Sequence, residues 1–146
     1  MGYGGGILVR RVPIRHVRSG WQRKTYRVNS HRRIKAWQCA QRLAVMVYEA
    51  SSRFPMDERF GMTSQIRRAA VSVSSNVAEG HSRWGRGDKA RFYQFAVSSL
   101  AETSSLLELA HELGYLNDES HKRIDELARQ TGRLVWGLQR SQRPPT

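Results

Sequence analysis

Residues 61–80, which read GMTSQIRRAAVSVSSNVAEG, decide the fold of this chain. Serine is frequent in the stretch, and a helix needed only for packing would favour Leu and Ala, because Ser competes for backbone hydrogen bonds. The small side chains allow a neighbouring backbone to come close, and Arg67 and Arg68 mark the outer face. Apolar residues recur at the three- and four-residue spacing of an amphipathic helix: Ile66, Ala69, Ala70, Val73 and Val77.

Three further helices follow from the same spacing on either side of this stretch. The first begins at Ile34 and is stopped by Pro55, since the residue before a proline disfavours the α region. A glycine-rich break over 80–87 separates the second helix from the third, and Gly114 ends the third as a left-handed cap. The expected N-caps are Thr63 or Ser64 for the second helix, Asp88 for the third, and Asn117 or Asp118 for the fourth.

No segment alternates apolar and polar residues over a length that would predict a strand. Four helices with short connections predict an all-α, antiparallel up-down four-helix bundle. We assign the bundle to residues 35–141, a basic and disordered N-terminal extension to 1–34, and a short tail to 142–146.

Composition limits the class of protein. A chain of 146 residues with 39% hydrophobic residues fits one globular domain. Its longest apolar run, 43–48, is too short to span a bilayer. A single cysteine, Cys39, excludes an internal disulfide, and the expected location is a reducing cytoplasm.

The net charge of +13 is unevenly distributed. Residues 1–35 contain ten Lys or Arg and no Asp or Glu, whereas residues 92–146 contain six basic and seven acidic residues. The extension is interpreted either as a basic arm for nucleic acid or as sequence upstream of a later translation start.

Basic residues of the first half of the bundle are the candidate nucleic-acid contacts. Arginine forks suit phosphate oxygens, although a solvated charged face or pairing between subunits would also account for them. We expect these residues to be exposed and to cluster at one end of the bundle. Trp84 lies between them in a glycine-rich loop, where it would stack on an unpaired base or pack against a neighbouring helix or subunit. The basic candidates are Arg59, Arg67, Arg68, Arg83, Arg86, Lys89 and Arg91.

Asn76 and Glu79, followed by Gly80, stand out as polar positions at the end of the second helix. Without a converging histidine or second carboxylate they predict a hydrogen-bond network that fixes the turn after the second helix, or a contact between subunits, rather than a catalytic or metal site. The five histidines have no i, i+4 pairing and no spacing suited to zinc. The sequence therefore predicts no cofactor, no metal site and no enzymatic activity.

These motifs resemble the four-helix-bundle family of rRNA intervening-sequence proteins, which are also described as S23 ribosomal proteins. A looser resemblance is to the accessory variability protein of diversity-generating retroelements. The resemblance covers about residues 36–140, whereas residues 1–34 and the Trp84 loop depart from the family pattern. It is carried by FP at 54–55, ERFGMTSQIRRAAVSV at 58–73, SNVAEG at 75–80, FYQFA at 92–96, SLAE at 99–102 and AHELGYL at 110–116.

The resemblance implies a homopentamer with a basic surface and suspected nucleic-acid binding. The expected function is thus that of a non-enzymatic, oligomeric protein that binds RNA or DNA through phosphate contacts, with no membrane partner. The alternative is a protein-interaction scaffold, such as an accessory subunit of a reverse transcriptase. A small-residue stripe at Val71, Ser72 and Ser75 would suit a close contact between subunits.

Overall fold

The computed structural model describes residues 29–144, which fold into four α-helices. Short 3₁₀ turns at Ser30–Arg33 and Met56–Glu58 precede the first and second helices. The predicted all-α four-helix bundle is confirmed, and no strand occurs within 29–144. The helices are α1, Lys35–Ser51; α2, Met62–Ser82; α3, Arg86–Glu112; and α4, Asp118–Ser141.

Each helix packs against two neighbours, α1 and α3 against both α2 and α4, with the most extensive contact between α2 and α3. We call the end where α1 and α3 begin and α2 and α4 finish the lower end, and the opposite end the upper end. Every helix contributes apolar side chains to one core. Those that are fully buried include Leu43, Val47, Ile66, Val73, Val77, Leu107 and Val135.

Two helices, α2 and α3, are not capped by the residues that the sequence predicts. Thr63 and Ser64 lie inside the first turn of α2 and do not cap it. Oε2 of Glu58 instead accepts a hydrogen bond from the Met62 amide at 2.9 Å. A Cβ at Gly61 would lie 2.6 Å from the same oxygen, so glycine makes room for the carboxylate. Asp88 is likewise the third residue of α3, which begins at Arg86 without a side-chain cap.

In the connection between α3 and α4, both helix caps are the ones that the sequence predicts. Gly114 has a φ of 75°, and its amide bonds the His111 carbonyl while the Tyr115 amide bonds the Ala110 carbonyl, both at 2.9 Å. This pair of bonds is the Schellman ending of a helix. Oδ1 of Asn117 then accepts a hydrogen bond from the Ser120 amide at 2.8 Å and caps α4. Both helix ends that flank the connection are therefore fixed.

The first helix is shorter than expected. It ends at Ser51, and the Phe54 amide closes a tighter turn on the Ser51 carbonyl before Pro55 is reached. At its other end, residues 29–34 belong to the folded part, because the His31 ring packs edge-on against Trp37 with centroids 4.8 Å apart. The remainder of the predicted extension, 1–28, lies outside the described residues.

None of the four described helices combines the length and the apolar content that crossing a membrane requires.

Candidate nucleic-acid interface

The antiparallel topology divides the predicted basic residues between the two ends of the bundle. Arg67 lies in the second turn of α2 at the upper end, whereas Arg83 follows α2 at the lower end. Sixteen residues of helix separate them, or about 24 Å at 1.5 Å per residue. The expected single cluster is therefore wrong: Arg59, Arg67 and Arg68 lie towards the upper end, and Arg83, Arg86, Lys89 and Arg91 lie at the lower end.

Positive charge collects at the lower end. Counting the six terminal residues of each helix and the flanking segments within 29–144, this end has nine basic residues against the acidic Glu79 and Asp88. The upper end, counted in the same way, has five basic and seven acidic residues. The lower-end basic residues, which we call the basic end group, are Arg32, Arg33, Lys35, Arg83, Arg86, Lys89, Arg91, Arg140 and Arg143.

Arg83 is held in place by the α2–α3 turn. Its guanidinium lies 4.3 Å from the centroid of the Phe92 ring and pairs with the carboxylate of Glu79. Its Nε is buried and has no hydrogen-bond partner among residues 29–144. The side chain keeps 40% of its surface exposed, so Arg83 fixes the turn while presenting one edge to solvent.

Arg86 at the start of α3 caps the end of α4. Its Nη2 donates to the carbonyls of Ser141 and Arg143 at 2.9 and 2.8 Å, and its Nε donates to the Gln142 carbonyl at 3.2 Å. A cation at this position satisfies carbonyls that the helix leaves unpaired and complements the negative end of the helix dipole. The primary role of Arg86 is therefore within the bundle.

Lys89 and Arg91 border the half-exposed aromatic side of α3. Arg91 lies 5.9 Å from the ring centroid of Phe95, which is 45% exposed. The pKa of His81 is lowered, first by burial and then by the positive charges of Lys89 and His31.

Trp84, in the turn between α2 and α3, is 65% exposed. Cations and aromatic rings are thus close together at this end.

A second basic and aromatic face runs along α4 and was not predicted. Arg129, Arg133, Trp136 and Arg140 follow one another at three- and four-residue spacing, which places them on one side of the helix. The Arg140 guanidinium lies 4.6 Å from the Trp136 ring, which is 49% exposed. The near-zero net charge of residues 92–146 concealed this stripe, although its helical spacing is readable in the sequence.

Towards the upper end, the predicted arginines have different surroundings. Arg67 is half-buried rather than exposed, and its Nε donates to Oγ of Ser51 at 2.8 Å while its guanidinium covers the Tyr48 ring. Arg67 thus joins α2 to the end of α1. Arg68 is exposed, and Arg59 lies 5.3 Å from the ring of Phe60.

Asn76 bonds Ser72 within α2, and Ser72 in turn joins α2 to α3. Its Nδ2 donates to the carbonyl and to Oγ of Ser72 at 2.8 and 3.0 Å, and Oγ of Ser99 donates to Oγ of Ser72 at 3.0 Å. Ser72 therefore faces α3, whereas Val71 and Ser75 of the expected stripe are exposed.

Gly80 lies where α2 and α3 approach each other closely. A Cβ at this position would lie 2.8 Å from Cε1 of Tyr93 and 3.1 Å from Cβ of Phe92. The contacts of Asn76 and Glu79 together with this close approach give the end of α2 an architectural role.

The fold and the positions of these side chains define a four-helix-bundle protein with a basic end. The family model for the 23S rRNA-intervening sequence protein matches residues 32–137, so the chain belongs to that family. A crystal structure of a protein of unknown function from the S23 ribosomal protein family of Bacteroides thetaiotaomicron is similar at 21% identity and a TM-score of 0.65. The similarity covers 71% of this chain and 97% of that one. A search of curated proteins found no match.

Proposed function

We propose that this protein is a non-enzymatic nucleic-acid-binding bundle whose lower end contacts the phosphate backbone. The observation that carries the proposal is the basic end group, nine cations against two carboxylates on one end of the described fold. Such a concentration of one sign attracts a polyanion and is worth most at low ionic strength. The family description, which refers to an intervening sequence of 23S rRNA, is consistent with an RNA partner.

Aromatic side chains beside the cations favour single-stranded or looped segments. Trp84, Phe95 and Trp136 are each at least 45% exposed, and the last two have an arginine beside the ring. Base stacking on such rings contributes about 1–3 kcal/mol per base and requires no particular sequence. We therefore assign contacts with phosphates to the arginines and contacts with unpaired bases to the aromatic rings, in a cytoplasmic setting.

We also propose that the bundle is oligomeric, with copies meeting on the face shared by α1 and α2. Val45, Tyr48 and Val71 are 55%, 47% and 40% exposed, and the contact between Arg67 and Tyr48 sets the two helices in a register that places Val71 near the level of Val45. Exposed apolar side chains that lie close together suit a contact between copies. The resemblance to a homopentameric family makes five copies the expected number, and repetition of the basic end would raise avidity.

Matched charge reversals at the two ends test the binding site. Arg91→Glu with Arg140→Glu changes the lower end, and Arg59→Glu with Arg68→Glu makes the same change in net charge elsewhere. We expect the lower-end variant to bind labelled single-stranded RNA at least about tenfold more weakly than wild type at low salt, because cations beside the phosphates release counterions. The second variant should stay within about threefold of wild type.

Equal weakening by both pairs of substitutions would show that affinity follows net charge and would reject the lower end as the site. Absence of binding by the wild-type protein at low salt would reject the function. Light scattering of wild type and Val71→Glu tests the assembly: the wild type should be larger than a monomer, and the variant should dissociate.

A scaffold for another protein is the second candidate function, and one observation favours it. Met56 and Phe60, in the connection between α1 and α2, are 78% and 86% exposed. Exposed apolar side chains of this size are more typical of a protein contact than of a phosphate contact. Under this candidate function, Phe60→Ser weakens a protein complex, for example with a reverse transcriptase, and leaves RNA affinity unchanged.

A further inference from the structure

The turn between α3 and α4 brings together two histidines and a glutamate that are well separated in sequence. The rings of His111 and His121 are stacked with centroids 4.3 Å apart and planes 13° from parallel. Oε1 of Glu108 lies 3.2 Å from Nε2 of His121. One ligand atom from each of the three side chains lies within 4.8 Å of the other two, a distance that side-chain rotation would shorten to that between ligands of one metal ion.

His121 has a nitrogen that the fold does not satisfy. Its Nε2 is buried, its approach to Glu108 lacks hydrogen-bond geometry, and it has no hydrogen-bond partner within the described part of the chain. Buried polar atoms are nearly always paired, so this nitrogen points to a missing ligand. A metal ion that lies in the plane of the His121 ring would accept its lone pair.

Asp118 lies outside this group of three but contacts one member. Its Oδ1 lies 2.7 Å from Nε2 of His111. A carboxylate that takes one ring N–H of a histidine orients the ring and leaves the other nitrogen to ligate a metal. The Gly114 ending of α3 and the Asn117 cap of α4 hold the two helix ends that carry these ligands.

We propose that Glu108, His111 and His121 form a binding site for a divalent transition-metal ion, with Asp118 as the carboxylate that orients His111. Two imidazoles and one carboxylate suit Zn²⁺, which takes a water at its fourth position, and imidazole ligands also suit Ni²⁺ and Cu²⁺. The hard cations Mg²⁺ and Ca²⁺ prefer oxygen ligands and are not expected to bind.

The bound ion joins the end of α3 to the start of α4 at the upper end. Because α3 has 27 residues and is about 40 Å long, the site lies far from the basic end group. Its effect is therefore on the stability of the α3–α4 connection, and it does not depend on the proposed nucleic-acid binding.

Calorimetric titration of untagged, chelator-treated full-length protein with Zn²⁺ tests the site. We expect one zinc ion per chain at the cluster and a zinc-dependent rise in the melting temperature, since a ligand that binds only the folded state stabilises it. His111→Ala with His121→Ala should abolish both effects. Asp118→Asn should weaken zinc binding about tenfold, as loss of an outer carboxylate does.

His31→Ala with His81→Ala is the matched control, because it removes two histidines that lie near each other at the lower end. This variant should keep zinc affinity and the thermal shift. Circular dichroism without metal establishes that the variants fold. Zinc binding that is unchanged in the His111/His121 variant, or lost equally in the His31/His81 variant, would overturn the proposal, as would the absence of zinc binding by the wild type.

Discussion

Gly80 shows how a single residue sets the distance between two helices. Its missing side chain leaves room for the ring of Tyr93, which is 2% exposed, where a Cβ would lie 2.8 Å from Cε1. A ring held in the core cannot move aside as the tip of a flexible side chain can. The closeness of α2 and α3 at this level therefore depends on this glycine.

We expect Gly80→Ala to lower the free energy of unfolding by about 1–3 kcal/mol, the usual cost of overpacking, despite the better helix propensity of alanine. Gly137→Ala is the matched control, because a Cβ there meets nothing within 4 Å. That variant should gain up to about 1 kcal/mol from propensity alone. Urea denaturation measures both, and an equal gain at the two positions would disprove the close approach.

His81 makes the stability of the bundle depend on pH. Burial, then the charges of Lys89 and His31, lowers its pKa below the ordinary value of 6.5. The unfolded chain therefore takes up the proton at a higher pH than the folded chain, and the free energy of unfolding falls as the pH drops below about 6.5. His81→Gln should reduce this slope.

Lys89→Ala should also reduce the slope, but by less, since burial is the larger cause of the lowered pKa. Urea denaturation at several pH values between about 7.5 and 5 checks both variants. A slope in His81→Gln that matches the wild type would contradict the assignment.

At the scale of the helix, a cap is predictable from the sequence when it lies within one turn of the helix end. Gly114 and Asn117 behave as expected because each acts within one turn of its own position. The start of α2 was mispredicted because Glu58, four residues earlier, reaches forward to the Met62 amide. The end of α4 was beyond prediction, since its cap, Arg86, lies more than fifty residues away.

We expect Arg86→Ala to lower the free energy of unfolding by about 0.5–1 kcal/mol, because the last carbonyls of α4 lose both their hydrogen bonds and a neighbouring positive charge. Arg86→Lys should recover only part of the loss, since an ammonium keeps the charge without the fork. Hydrogen exchange of the Arg140–Ser141 amides should increase in Arg86→Ala. Unchanged exchange there would show that the cap contributes nothing.

At the scale of the whole molecule, the direction of the helices sorts the charges. Residues 1–28 contain seven Lys or Arg and no acidic residue, and the chain continues from them into Asn29 at the lower end. Deleting 1–28 should therefore weaken RNA binding and make the slope of log affinity against log salt less steep, by about 0.7–0.9 for each phosphate that the protein no longer neutralises. If the basic end group binds by itself, the remaining slope stays clearly negative. A slope of zero would restrict binding to the first 28 residues.

The sequence by itself determined the four helices, their up-down order and the family, because apolar periodicity, glycine endings and short connections are properties of neighbouring residues. Within residues 61–80, the sequence also predicted the buried apolar stripe. It predicted that Arg67 and Ser72 are exposed, whereas Arg67 bonds Ser51 of α1 and Ser72 bonds Ser99 of α3. It placed Arg83, Arg86, Lys89 and Arg91 together at one end, but it did not predict the other members of the basic end group, the α4 stripe or the His111–His121 pair. Only the tertiary structure decided these, because antiparallel packing separates residues that are close in sequence and joins residues that are distant.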